Sequence, residues 1–232
     1  MREIVLDTET TGFEPESGDR IVEIGAVELF NHMPTGKTYH EYINPQRSMP
    51  KEAFEVHGLG DEFLATKPLF EDVGRSFLDF IGDAKLVIHN AAFDMKFLNA
   101  ELKKINLPTL PWEQAIDTLA IARRKFPGSP ASLDALCRRF GINNAARTLH
   151  GALLDSEILA EVYLELIGGR QPDLVLSEGP RVSARSGESA QNWRPKPRAQ
   201  KLDSRLTNEE AAAHSAFVDK LGDGALWKKS DG

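Results

Sequence analysis

Three stretches near the start of the chain, residues 4–8, 20–30 and 37–43, are either apolar throughout or alternate apolar with polar positions. That pattern is the signature of extended chain, and the short polar and glycine-bearing connections between the runs predict an antiparallel meander. The period then lengthens. Residues 50–57 read as a short helix, and 68–81 place Phe70, Val73, Phe77, Leu78 and Ile81 on one helical face. A strand over 85–89 leads into a helix over 90–105, with Asn90 positioned to cap it and Phe93, Phe97 and Ala100 along one side. Helices follow at 112–126, 132–140 and 151–167, the last stopped by Gly168-Gly169. A meander followed by helices around a mixed central sheet predicts an α/β layered domain over residues 1–170.

Near Pro172 the pattern changes. Residues 177–205 are rich in Ser, Pro, Arg and Gln, poor in aliphatics and net basic, which predicts a flexible basic linker. Structure signals return over 206–232, where Thr207 stands three residues before Glu210 at capping-box spacing and a helix with Ala213, Phe217 and Leu221 follows. Leu226 and Trp227 lie beyond it. Such a segment is too small to build a core, so it is expected to dock on a partner.

Composition narrows the class. Hydrophobic residues at 41% and charged residues at 27% are those of a globular chain, and no apolar run is long enough to cross a bilayer. The amino terminus lacks the basic segment, apolar stretch and cleavage site of a secretory signal, and a cytoplasmic location is expected. The single cysteine excludes an internal disulfide framework and a multi-cysteine zinc site. Cys137 shares a helical stripe with Leu133, Leu136 and Phe140 and reads as a small core residue.

A net charge of −7 is the wrong sign for a protein that grips nucleic acid through phosphate contacts alone. Divalent cations held by acidic residues reverse the local field, and three acidic clusters offer themselves. In Asp7-Thr8-Glu9-Thr10-Thr11-Gly12, strand alternation sends Asp7 and Glu9 to the same face. Asp94 falls in the first turn of its helix, just after a strand, at an edge where α/β sheets commonly place sites. His150 precedes a helix and Asp155 lies in its opening turn, with small residues Gly151 and Ala152 between them. Taken singly, each cluster also fits a solvated strand edge or helix start. Together they suit a pair of oxygen-liganded ions, Mg2+ or Mn2+, about 3.5–4 Å apart, as phosphodiester hydrolysis uses. A histidine beside such a pair can accept the proton of water. No zinc-type His-Glu-x-x-His pair is present.

Asp-x-Glu, then Asp, then His-x4-Asp, in this order, resembles the DEDDh exonucleases of the ribonuclease-H-like superfamily. The likeness runs over residues 2–170 and is closest to the branch that proofreads for bacterial replicative DNA polymerases. It is carried also by Glu52-Ala53-Phe54-Glu55-Val56-His57-Gly58, Val87-Ile88-His89-Asn90-Ala91-Ala92-Phe93-Asp94, Ser132-Leu133-Asp134-Ala135-Leu136-Cys137 and Arg147-Thr148-Leu149-His150. The resemblance implies a ribonuclease-H-like exonuclease fold and release of 5'-mononucleotides from DNA 3' ends. It implies that Asp7 bridges two metal ions, that Glu9 and Asp155 complete the catalytic metal site, and that Asp94 supports the second ion largely through water. His150 is then the general base, and Glu52 and His57 line the terminal-nucleotide pocket. It implies partners as well. Gln171, Leu174 and Leu176 resemble a short peptide that docks on the bacterial sliding clamp, and 206–232 a tail that binds the polymerase alpha subunit. A freestanding DNA or RNA nuclease with the same acids, and a scaffold that keeps only the fold, are the other readings of the chain.

Overall fold

A single mixed sheet of five strands, in the order β3-β2-β1-β4-β5, forms the centre of the computed structural model, which describes residues 1–145, 147, 149–169 and 206–222. β1 (Arg2–Thr10), β2 (Ile21–Phe30) and β3 (Met33–Tyr42) form the antiparallel meander, with Glu9 opposite Glu23 and Asp7 opposite Gly25. β4 (Lys85–Ile88) runs parallel to β1, and β5 (Ala115–Asp117) parallel to β4.

Alternation along β1 feeds two cores. Ile4 and Leu6 bury against α3 (Phe70–Ile81) and α4 (Ala91–Lys104), where Phe70, Phe77 and Phe97 are fully buried. Val5 turns to the other face, where α6 (Leu133–Phe140) and α7 (Ala152–Leu166) supply Leu136, Cys137, Leu159 and Val162. Burial of this apolar area on both faces is the main force holding the layers on the sheet. Between β3 and α3 lie α1 (Lys51–His57) and a single turn, α2 (Asp61–Leu64), and α1 ends on Gly58 at φ +73°, the left-handed conformation that favours glycine.

The structure departs from the sequence pattern in places. Residues 112–126 are not one helix: a 3₁₀ turn at Trp112–Gln114 leads into β5, and α5 (Thr118–Lys125) begins only after it. Asp117 is the reason, because its side chain accepts from the Leu119 N–H at 2.9 Å and caps α5 there. Asn90 precedes α4 in the left-handed conformation, φ 66°, and its side chain does not cap the helix. α2 is a turn the pattern did not announce.

The chain divides into two compact units, Met1–Val175 and Leu176–Gly232. Within the second, α8 (Asn208–Lys220) carries the capping box: Thr207 Oγ1 accepts from the Glu210 N–H at 3.2 Å, and Glu210 Oε2 accepts from the Thr207 N–H at 2.9 Å. The expected clamp-type peptide, Gln171, Leu174 and Leu176 included, and the linker 177–205 lie outside the described residues. No described helix is long and apolar enough to cross a membrane.

Candidate functional site

The two faces of β1 meet at its carboxyl end. Asp7 and Glu9 point to the α7 layer, whereas Thr8 points to the α4 layer and donates from Oγ1 to Asp94 Oδ1 at 2.7 Å. Each helix layer therefore brings one acid to the strand end, Asp94 from the first turn of α4 and Asp155 from the first turn of α7. Asp7, Glu9, Asp94, His150 and Asp155 all line one open pocket of about 670 Å³.

Asp155 is held there by a close approach of backbones. α7 crosses β2 at Gly25, where a Cβ would overlap Ala152 and Leu153, and Ser156 Oγ fixes the crossing by donating to the Gly25 carbonyl at 2.9 Å. His150 stands in the loop before α7, about half exposed, with its N–H bonded to the Val56 carbonyl of α1 at 3.0 Å. Glu9, His150 and Asp155 each offer a ligand atom within 4.8 Å of the others.

Burial, with the crowding of carboxylates behind it, sets the electrostatics. Burial, then the charges of Asp94, Glu9 and Asp155, push the Asp7 carboxyl well above its ordinary range. Burial, then Asp155 and the cross-strand Glu23, push Glu9 up to about 8. Asp94 is raised to about 7 by burial, against the opposing hydrogen bond from Thr8. Asp155 differs: burial raises it too, but His150 and Arg147 beside it more than offset this and hold it low. Carboxyls that carry protons for want of a counter-charge are what a divalent cation relieves. Glu9 Oε1 is also buried without a hydrogen-bond partner among the described residues. The donor set is rich in oxygen and fits hard divalent ions.

Glu52 and His57 line an adjoining cavity of about 710 Å³, which shares Thr8, Glu9, Phe13 and Phe93 with the acidic pocket. His57 Nδ1 accepts from the Leu59 N–H at 3.1 Å, so a neutral ring carries its proton on Nε2, which is buried and unpartnered among the described residues. Burial lowers its pKa and favours that neutral form. Phe13, 84% exposed, and Phe93 meet edge to face at 6.4 Å on the rim between the two cavities.

Sequence reasoning gave Arg147 no role, yet it is the central cation of the pocket. Its Nε donates to Asp155 Oδ1 at 2.5 Å and Nη2 to Oδ2 at 2.8 Å, while Nη1 donates to Asp134 Oδ1 at 2.9 Å. Nη2 also lies 2.7 Å from His150 Nδ1. The contact between Thr8 and Asp94 was missed likewise. Arg147 stands eight residues before its partner acid, across a loop, and no periodicity marks that reach.

The family model described as Exonuclease matches residues 4–163. DNA polymerase III subunit epsilon of Rickettsia conorii is 48% identical over 224 residues, covering 95% of this chain and 96% of that one. Its counterpart in Escherichia coli is 48% identical over 238 residues, covering 98% and 97%. Among solved structures, Exonuclease X in complex with 5' overhanging duplex DNA superposes with a TM-score of 0.55 at 28% identity, over 71% of this chain and 90% of that one. The nuclease domain of 3'hExo, a DEDDh family member bound to rAMP, shares the fold at a TM-score of 0.62 and 20% identity, over 72% and 91%. Near 48% identity sustained from end to end, with the family model reaching from β1 into α7 over all the acids of the pocket, the chain belongs to the exonuclease family and, within it, to the kin of DNA polymerase III subunit epsilon.

Proposed function

We propose that this nuclease hydrolyses the terminal phosphodiester at DNA 3' ends, releasing 5'-mononucleotides, and does so as the proofreading subunit of a bacterial replicative polymerase. The observation that carries the reading is the convergence of Asp7, Glu9, Asp94, Asp155 and His150 in one pocket that opens beside the cavity of Glu52 and His57. Asp7, Glu9, Asp94 and Asp155 are the residues that would hold two divalent ions, Mg2+ or Mn2+. When bound, such ions lower the pKa of water and stabilise charge on the attacking and leaving oxygens.

The chain's own groups do the rest. His150, exposed in its loop, takes the proton from the attacking water. His57 presents its Nε2–H toward the terminal nucleotide as a donor for phosphate or sugar, and Glu52 shares that wall. The terminal nucleotide enters this cavity of about 710 Å³, and the adjoining acidic pocket receives the linkage behind it.

The relatives named as DNA polymerase III subunit epsilon support a polymerase partner. Phe217 on α8 and Leu221 just after it are exposed, an apolar edge suited to docking on the polymerase alpha subunit. Residues 177–205 then act as the tether that raises the local concentration of the nuclease at the primer end. Gln171, Leu174 and Leu176 form the proposed contact with the sliding clamp, and the whole assembly works in the cytoplasm.

The test is degradation of a 3'-mismatched primer–template in Mg2+, comparing the chain with its Asp7→Ala/Glu9→Ala variant, with and without alpha subunit. Metal-dependent 3' trimming that vanishes in the variant and strengthens with the polymerase is expected. Trimming indifferent to the polymerase makes this a freestanding nuclease, and no trimming in any mixture leaves a scaffold.

A further inference from the structure

An ion at Asp155 would have to share a carboxylate that already neutralises a cation, because each of its oxygens accepts a bond from one guanidinium. Paired, charge-assisted bonds of this kind are among the strongest a carboxylate makes. The side chain of Arg147 is 9% exposed and its charge is firmly held, since the hydrogen bond to Asp155 raises its pKa against the cost of burial. The same guanidinium closes off His150. Arginine has no acceptor, so in the neutral ring with its proton on Nε2 it is His150 Nδ1, 2.7 Å from Nη2 and 3.3 Å from Asp155 Oδ2, that accepts, and the lone pair at that nitrogen is used. One further bond leads out of the pocket: Nη1 reaches Asp134 on α6, a carboxylate 44% exposed and steadied by Asn144 Nδ2 at 2.8 Å.

We propose that Arg147 is a positioning residue that competes with the divalent ion for Asp155, coupling the ion's arrival to the release of His150. Until an ion binds, the fork holds Asp155 and His150 as one unit. The ion takes an Asp155 oxygen, the guanidinium keeps its bond to Asp134 and gives up the fork, and Nδ1 of His150 is freed in the same movement. The inference rests on the metal-site reading proposed above.

Lysine at this position keeps the charge but cannot form the fork, which separates competition for Asp155 from simple repulsion between cations. Mn2+ binding is measured calorimetrically on the full chain. Arg147→Lys is expected to bind at least about fivefold tighter than the unaltered protein, the lower end of ordinary coupling between two ligands. Equal or weaker binding by Arg147→Lys overturns the proposal. Asp155→Asn keeps the two readings apart: if it leaves Mn2+ binding unchanged, the metal site itself is misassigned, whereas weakened binding without a gain in Arg147→Lys removes only the competition. A second measurement needs no variant. The Arg147 Nε–H, bonded to a nearly buried carboxylate, is expected to exchange slowly with solvent in chelator and quickly at saturating Mg2+; protection retained at saturation overturns the proposal.

Discussion

Gly25 carries no chemistry, yet the site depends on it. It sits on β2 opposite Asp7, where the first turn of α7 lies so close that any Cβ would strike the backbone of Ala152 and Leu153. Both residues precede Asp155 in that turn, so Gly25→Ala must push the acid away from Asp7 or strain the strand. Overpacking of this kind costs about 1–3 kcal/mol, and a misplacement near 1 Å at reacting groups costs about a hundredfold in rate. A lowered melting temperature with turnover reduced to that extent is expected, and near-normal turnover would mean that α7 does not set the position of Asp155. Nothing local in the sequence announces this demand. The spacing of Asp7 and Glu9 is readable because strand geometry alone places them together. What brings Asp155 to them is a contact between segments more than a hundred residues apart, whereas Arg147 is opaque because its reach across the loop to Asp155 follows no periodicity.

Elements were legible where length let a period repeat or, as in four-residue β4, where an unbroken apolar run marked a strand. α3 and α7 run for 12 and 15 residues, long enough for a buried face to repeat, and the meander shows its alternation over strands of nine and ten. β5 has three residues and α2 four, too few to display any period, so one merged with the helix after it and the other went unseen. Asp117 decides the boundary between β5 and α5. Its Oδ1 accepts from Leu119 N–H at 2.9 Å and from Asn90 N–H at 3.2 Å, so one carboxylate starts α5 and fastens the turn that delivers α4. Loss of such a cap costs about 0.5–2 kcal/mol. In urea unfolding Asp117→Ala is expected to lose that amount and Asp117→Asn, which keeps an acceptor, to recover most of it; equal losses would show that charge, not the cap, matters there.

At the scale of the molecule, the sheet order puts β1 between its antiparallel neighbour β2 and its parallel neighbour β4, with a helix layer on each face, and that arrangement gathers four acids at one strand end. The fold thereby accepts electrostatic stress, and the stress has a sign. Glu9 rises from 4.5 to about 8 and Asp94 from 3.8 to about 7, with Asp7 raised as well. The folded protein therefore holds protons that the unfolded chain has released between roughly pH 4 and 8, and its stability falls as pH rises through that window. Asp155, held low, acts the other way: its contribution is present above its unfolded pKa and is lost only as pH falls through its folded value, on the acid side. Divalent ions bind the ionised carboxylates, and their stabilisation grows as those groups lose protons. Melting temperature in chelator is expected to fall from pH 5 to 8, and the increment given by Mg2+ to widen over the same range. Glu9→Gln should flatten both trends, because it removes a carboxyl raised from 4.5 to about 8. An Mg2+ increment independent of pH, or a chelator curve that rises toward pH 8, would show that these carboxyls do not carry the strain assigned to them, and the case for a metal pair at the end of β1 would lose its electrostatic ground.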